Sequence, residues 1–395
     1  MSLKDDPAMA RGSMRLLIVD DLEINRDLLV RRVRRLGHET GIAVNGREAL
    51  EQLRAASWDL VLLDITMPVM DGYDTLRHIK ADLLLADTPV VMVSAIDETD
   101  SVVRCLELGA DDYLTKPFNP IILQARIESS LAKKRLADQQ RLLLKALSRE
   151  MEIGQRIQQG FLPEAMPVLA GWDLAGHCVP ARQVSGDFYD AFILPSGRLA
   201  LIVADVCDKG VGAALYMALF RTLLRAMSCH ASTFEAPKDT LARTVAFTND
   251  YIAGIHGRES MFATVFFAIL DPASGHLDYI NAGHDAPIVR RGLGGEVVRL
   301  GPSGCAVGLL PGIRCPVQEI NLHPGDSLFA FTDGVTEAVG DTGDFGEAAL
   351  LQLIATAGPQ AASYLATVQT GLAIHVGSRF AHDDVTMLCV IRAAD

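Results

Sequence analysis

Asp187 and Asp205 flank the turn sequence Leu194-Pro195-Ser196-Gly197-Arg198. The runs on either side are rich in strand formers, and Pro-Ser-Gly is turn chemistry, so the segment predicts a hairpin. If Leu194 faces Arg198 across the turn, the register sets Asp187 opposite Asp205. Side chains alternate along a strand, so both acids share a face with Tyr189, Ile193, Leu199, Leu201 and Val203. Carboxylates so placed lie roughly 5 Å apart. They repel by on the order of 3 kcal/mol at an intermediate dielectric. A divalent cation between them converts that repulsion into binding energy. The competing reading is a solvated rim where the acids diverge, and a bulge in either strand would break the register.

Further acids recur at predicted strand ends. Asp333 follows the apolar run Ser327–Phe331, and Asp383 and Asp384 precede Val385–Ile391. With Asp187 and Asp205 they form a set of hard oxygen donors, and no Cys or His clusters with them in sequence. Mg²⁺ or Mn²⁺ is therefore favoured over Zn²⁺. Two such ions could activate a water and clamp a phosphate for in-line attack.

A second polar set lies nearer the N-terminus: Asp20, Asp21, Asp64, Ser94 and Lys116. Each stands at the carboxyl end of a predicted strand: Arg15–Val19, Asp59–Leu63, Pro89–Val93 and Asp112–Leu114, with a weaker strand near Glu39–Ala43. Amphipathic stretches such as Gly46–Ala55 and Ser101–Leu108 alternate with them. This alternation predicts a doubly wound α/β domain with a parallel sheet, whose ligands bind beyond the strands' carboxyl ends. The chemistry that fits is phosphoryl acceptance. An aspartate is a weak nucleophile and needs the incoming charge neutralised by a cation and a lysine.

The remaining elements must hold these two sets. From Ile121 to Phe161 there is no proline and Gly154 is the only glycine before Gly160, in a run rich in helix formers behind Pro120. Leu136, Leu143 and Ile157, and Leu147 with Phe161, fall on a heptad spacing that predicts a helical coiled-coil connector and a homodimer. A helix packed on its own domain is the alternative, and Gly154 and Gly160 are hinge candidates. Downstream, strand patterns dominate: Gly186–Leu194, Arg198–Ala204, Ala263–Leu270, His276–Asn281, Ala286–Arg290, Asp326–Thr332 and Val385–Ile391. Helical patterns run over Ala213–Ala226, Pro237–Ile255 and within Gly346–Gly377. This predicts an α+β domain, a β-sandwich flanked by helices. The domain boundaries read 1–13 as a frayed or leftover N-terminus, 14–134, 135–163 for the connector, and 164–395.

Composition narrows the function classes. The 395 residues carry a formal charge of −13, which argues against nucleic acid or an anionic membrane surface as the main partner. No apolar run reaches bilayer length. The seven cysteines are scattered without a Cys-x-x-Cys, so a reducing, cytoplasmic setting is expected.

Two resemblances follow from these motifs. Val19-Asp20-Asp21, Leu62-Leu63-Asp64-Ile65-Thr66-Met67-Pro68-Val69-Met70-Asp71-Gly72, Val93-Ser94-Ala95 and Tyr113-Leu114-Thr115-Lys116-Pro117-Phe118 resemble a CheY-like, flavodoxin-like response-regulator receiver. The resemblance implies Asp64 as phosphoacceptor, Mg²⁺ held by Asp20, Asp21, Asp64 and the Thr66 backbone carbonyl, and Ser94 and Lys116 at the phosphoryl group. It also implies Tyr113 as an aromatic switch and an upstream sensor histidine kinase. Ser185-Gly186-Asp187-Phe188-Tyr189-Asp190, Ala204-Asp205-Val206-Cys207-Asp208-Lys209-Gly210, Phe262-Ala263-Thr264, Asn281-Ala282-Gly283-His284, Phe331-Thr332-Asp333-Gly334-Val335-Thr336-Glu337-Ala338 and Asp383-Asp384-Val385-Thr386 resemble the SpoIIE-type branch of the PPM Ser/Thr protein phosphatases. That resemblance implies Mg²⁺ or Mn²⁺ ligands at Asp187, Asp205, Asp333, Asp383 and the Val206 carbonyl. It implies a phosphorylated anti-sigma-factor antagonist as substrate. Arg182 reads as a surface arginine, His284 as a hydrogen-bonded turn residue, and Lys209-Gly210 as a turn and helix start. The rival reading of the second half is a non-enzymatic phosphoprotein-binding adaptor.

Overall fold

The computed structural model describes residues 13–95, 99–341, 343–379 and 383–394. The expectation for residues 1–13 falls almost wholly outside them. The chain divides into two units, residues 1–147 and 148–395.

The first unit alternates strand and helix: β1 (Arg15–Val19), α1 (Glu23–Arg35), β2 (Glu39–Ala43), α2 (Gly46–Ala55), β3 (Leu60–Asp64), α3 (Gly72–Ala81), β4 (Val90–Ser94), α4 (Thr99–Glu107), β5 (Asp112–Thr115) and the start of α5 (Pro120–Gln159). Its five strands are all parallel in the order β2-β1-β3-β4-β5. The central strands are apolar throughout because both sheet faces are covered. Leu17, Val19, Val61, Leu63, Val90 and Met92 face one core, with Ala49, Leu53, Leu76 and Ile79 of α2 and α3. Leu16, Ile18, Leu60, Leu62, Val91 and Val93 face the other, with Leu29 and Val33 of α1 and Leu123, Ile127 and Leu131 of α5.

The division between units falls inside α5, which runs unbroken through Gly154 and stops before Gly160. Leu136, Leu143, Leu147 and Ile157 are exposed along it.

The second unit continues with β6 (Trp172–Val179), β7 (Phe188–Ile193), β8 (Leu199–Val206), α6 (Val211–Ala231), α7 (Pro237–Ile255), β9 (Ala263–Leu270) and β10 (His276–Ala282). Then come β11 (Ile288–Arg290), β12 (Val297–Arg299), β13 (Gln318–Asn321), β14 (Ser327–Phe331), β15 (Val339–Gly340), β16 (Gly343–Asp344), α8 (Gly346–Thr356), α9 (Ala361–Val376) and β17 (Val385–Arg392). Two antiparallel sheets, β13-β10-β9-β8-β7 and β12-β11-β14-β17-β6, stack face to face. Leu199, Leu201, Val203, Phe266 and Leu277 meet Val289, Leu328, Ala330, Leu388 and Val390 between them. On the outer faces, α6 and α7 cover Ala200, Ile202, Phe267 and Ile280, while α8 and α9 cover Phe329, Phe331 and Met387.

Three expectations need correction. The helical stretch within 346–377 is two helices, broken around Gly358-Pro359. Strands β6, β12, β13, β15 and β16 were not foreseen. Ile193 sits on the sandwich side of its strand yet is 43 % exposed, because it lies at the end of β7, where the facing sheet no longer covers it.

Candidate active and metal sites

In the receiver-like unit the acids converge. Carboxylate oxygens of Asp20, Asp21 and Asp64 all lie within 4.8 Å of one another. Lys116 Nζ donates to Asp20 Oδ2 at 2.7 Å and to Asp64 Oδ1 at 2.8 Å. Asp20, Asp64 and Ser94 are buried at the ends of β1, β3 and β4. Asp20 is held in place by the Leu22 N–H and the Asn25 side-chain amide, which both donate to its Oδ1. Burial pushes the Asp64 carboxyl above its ordinary range, and Lys116 works against that rise. Burial alone would lower the Lys116 ammonium, but its bonds to Asp20 and Asp64 outweigh it and raise the group. Gly72 is required where the chain turns back on the site: a Cβ there would stand 2.3 Å from the Asp64 carbonyl. Thr66 is exposed beside the site, and Tyr113 is buried on β5. An all-oxygen donor set around a buried carboxylate fits a hard divalent ion.

The second set forms at one end of the sandwich. The β7–β8 ladder pairs Phe188 with Ala204 and Tyr189 with Val203, and the Leu194 N–H donates to the Arg198 carbonyl. The foreseen register is the observed one. Asp187 lies one residue before β7, opposite Asp205, and the charge of Asp205 bears on its carboxyl. In the facing sheet, Asp333 leaves β14 where Asp383 enters β17, at the end where Phe331 pairs with Met387. Thr332 ties the sheets together: its hydroxyl donates to Asp187 Oδ2 at 2.6 Å.

Like charges in partial burial dominate the electrostatics. Burial first, then the charge of Asp205, drives Asp187 well above the carboxylate range. Burial also raises Asp205, with Asp383 and Asp384 adding to it. Asp333 is pushed up to about 7 by burial, then by Asp205, Asp383 and Glu337. Such a set calls for cationic charge, and every donor is a hard oxygen, so it fits Mg²⁺ or Mn²⁺. Val206 is fully buried at the end of β8, beside Asp205.

Several site residues were not foreseen. Asp285 and Glu337 line an open cleft of about 400 Å³ with Asp205, Asp333, Thr264 and His284. Lys209 Nζ lies 2.7 Å from Asp383 Oδ2, in addition to standing in the turn before α6. Asp384 is the organiser of the 181–186 loop, accepting from the Ala181 N–H, the Ser185 hydroxyl and the Gly186 N–H. Gln158, near the end of α5, grips the same loop twice: its amide donates to the Ser185 carbonyl at 2.6 Å and accepts from the Ser185 N–H at 2.9 Å. His284 is buried, its Nδ1 2.8 Å from the Thr264 hydroxyl, and burial lowers it to about 4. It is therefore neutral near pH 7. Arg182 is exposed.

A parallel five-stranded domain with a lysine-bridged acidic site, followed by a helix-flanked sandwich with acids at one end, is the architecture of a receiver domain joined to a second domain of PP2C-like fold. The family model described as Stage II sporulation protein E (SpoIIE) matches residues 195–393, and the response regulator receiver domain model matches residues 16–128. The chain belongs to the SpoIIE family and carries a receiver in front of that domain. The SpoIIE match begins after Asp187. Among curated relatives, Protein IcfG of Synechocystis sp. is 33 % identical over 95 % of this chain and 58 % of that protein. The probable transcriptional regulator ycf27 of Cyanidium caldarium is 43 % identical over 30 % of this chain and 46 % of its own length. The chain thus spans about half the length of these relatives. The SiaA-PP2C domain of Pseudomonas aeruginosa superposes with a TM-score of 0.53 at 22 % identity, covering 62 % of this chain and 97 % of that domain, a likeness of fold.

Proposed function

We propose that this chain is a response regulator whose output is a metal-dependent phosphoserine/phosphothreonine protein phosphatase, acting on a phosphorylated anti-sigma-factor antagonist. The observation that supports the reading is that Asp187, Asp205, Asp333 and Asp383, from four segments, stand at one end of the sandwich near enough for the charges of Asp205 and Asp383 to bear on their neighbours. The assigned regions are the receiver at 14–134, a connector at 135–163 and the phosphatase at 164–395. In the receiver, Asp64 takes a phosphoryl group from a sensor histidine kinase. Lys116 holds Asp64 and neutralises incoming charge, Ser94 contacts the transferred group, and Asp20, Asp21 and the Thr66 carbonyl complete an Mg²⁺ site. In the phosphatase, Asp187, Asp205, Asp333, Asp383 and the Val206 carbonyl would hold two Mn²⁺ or Mg²⁺ ions, which supply charge to orient a phosphate ester and to acidify a water. Thr332 fixes the orientation of Asp187, and Asp384 fixes the loop that carries it. Neutral, buried His284 holds Thr264 at the cleft wall and is not placed to act as a charged acid.

Control runs through assembly of the output metal site. Gln158 is the physical link: it belongs to α5, yet both of its hydrogen bonds end on the loop that positions Asp187. A small shift of α5 would move that loop. The exposed Leu136, Leu143, Leu147 and Ile157 supply the face for a coiled-coil homodimer in the cytoplasm. No helix among the described residues is long and apolar enough to cross a membrane. The test is capture of a small phosphoserine protein by the intact chain, followed by Mn²⁺-dependent release of phosphate from it. Capture without release, with wild-type and Asp205→Ala chains alike, would make the second half an adaptor instead.

A further inference from the structure

Away from both sites, His276, Asp278 and Glu319 gather on β10 and β13, on the sheet face covered by α7. One nitrogen or oxygen from each lies within 4.8 Å of the others. The ladder sets Asp278 opposite Glu319 and His276 opposite Asn321. His276 and Asp278 are two residues apart on one strand, so they share a face.

The hydrogen bonding around this group points to a cation. His276 Nδ1 lies 3.1 Å from Asn321 Oδ1, an acceptor, so Nδ1 carries the proton. In the neutral imidazole this leaves a lone pair on Nε2. That nitrogen faces Asp278 Oδ1 at 3.3 Å. Asp278 is only 4 % exposed, and its Oδ1 accepts no hydrogen bond. With the imidazole neutral, a buried acceptor looks at a second acceptor, with Glu319 alongside. Among the described residues the ammonium beside them is that of Lys238, which pairs with Glu319 and stands 3.9 Å from Asp278 Oδ1 on a half-exposed side chain. An exposed pair of this kind contributes little, so the lysine is easily displaced.

We propose that His276, Asp278 and Glu319 form a second kind of metal site, one for a divalent transition ion of the zinc class. One imidazole and two carboxylates leave room for a water in a four-coordinate shell. Asn321 is the outer partner that fixes the imidazole tautomer, as metal-bound histidines usually require. The imidazole separates this site from the two all-oxygen sets, which suit Mg²⁺ and Mn²⁺. Bound metal would fasten edge strand β13 to β10.

The proposal is tested by titrating the intact chain with Co²⁺ in excess Mg²⁺ and following the visible absorption of the ion. Wild type takes up one more equivalent than His276→Ala. Asn321→Ala keeps that equivalent with about tenfold weaker affinity. Lys238→Met binds it about threefold more tightly, as expected for removal of a weak surface competitor. Equal uptake by wild type and His276→Ala overturns the assignment. Should His276→Ala fail to fold, exposed Glu319→Gln replaces it, and undiminished uptake by that variant overturns the assignment equally.

Discussion

The two acidic clusters solve one electrostatic problem differently. In the receiver, Lys116 is built into the site and bridges Asp20 and Asp64. The carboxylates are compact, and each of the two buried ones has a cation at hydrogen-bond distance. In the sandwich, Asp187 leans on a hydroxyl and on another acid, and Asp333 is surrounded by acids. Lys209 pairs with Asp383 from a position nearer solvent, and its charge also bears on Asp205 and Asp333. The first cluster is preorganised by a protein cation. In the function we propose, it thus stands ready for a phosphoryl group, while the second depends on external ions for its neutrality and its assembly is the step open to control.

Removing Lys116 breaks this contrast most severely. Lys116→Met should destabilise the receiver by about 3 kcal/mol in chelator, since it strips the partner from buried carboxylates. Part of that loss should return on adding Mg²⁺, as read by denaturant unfolding, while the sandwich transition stays where it was.

The pH response should differ between the clusters as well. Asp333 titrates near 7, raised above its unfolded value. The stability this group contributes without metal is thus complete below the ordinary carboxylate range and is lost as pH rises through about 7. Metal binding must expel that proton, so Mn²⁺ affinity should fall by up to about tenfold per pH unit as pH drops below 7. Calorimetry in buffers of different ionisation enthalpy reads the released proton directly.

Gln158→Ala sharpens the comparison by acting on one cluster alone. Losing two hydrogen bonds to Ser185 should weaken Mn²⁺ binding in the sandwich by about tenfold. Acyl phosphorylation of Asp64 should be unchanged. The smallest effect is expected at Asp208, whose φ of 72° lies in the left-handed region between Asp205 and α6. Asp208→Gly should raise sandwich stability by less than about 1 kcal/mol in thermal melts.

The sequence exposed whatever depends on local periodicity. The β7–β8 register was legible because a tight turn fixes it, and the acids at strand ends were legible because apolar runs stop at them. β6 was missed because Trp172-Asp173-Leu174-Ala175-Gly176-His177-Cys178-Val179 lacks the β-branched density of its neighbours. Its Gly176 serves packing: a Cβ there would stand 2.5 Å from the Tyr189 ring. The supports of the site were illegible for another reason. Gln158 to Ser185, Ser185 to Asp384 and Lys209 to Asp383 are polar contacts between distant segments, and no spacing rule announces them. The acids themselves could be read; what orients them appears only in the fold.

We propose that the sandwich acids form a metal-dependent hydrolytic centre. Its most direct test is phosphate release from a generic phosphate ester by the intact chain, with Mn²⁺ and with chelator, beside Asp205→Ala. Turnover that needs Mn²⁺ and drops by on the order of a thousandfold in the variant is the predicted result. Turnover equal in both chains, or indifferent to the metal, would contradict it.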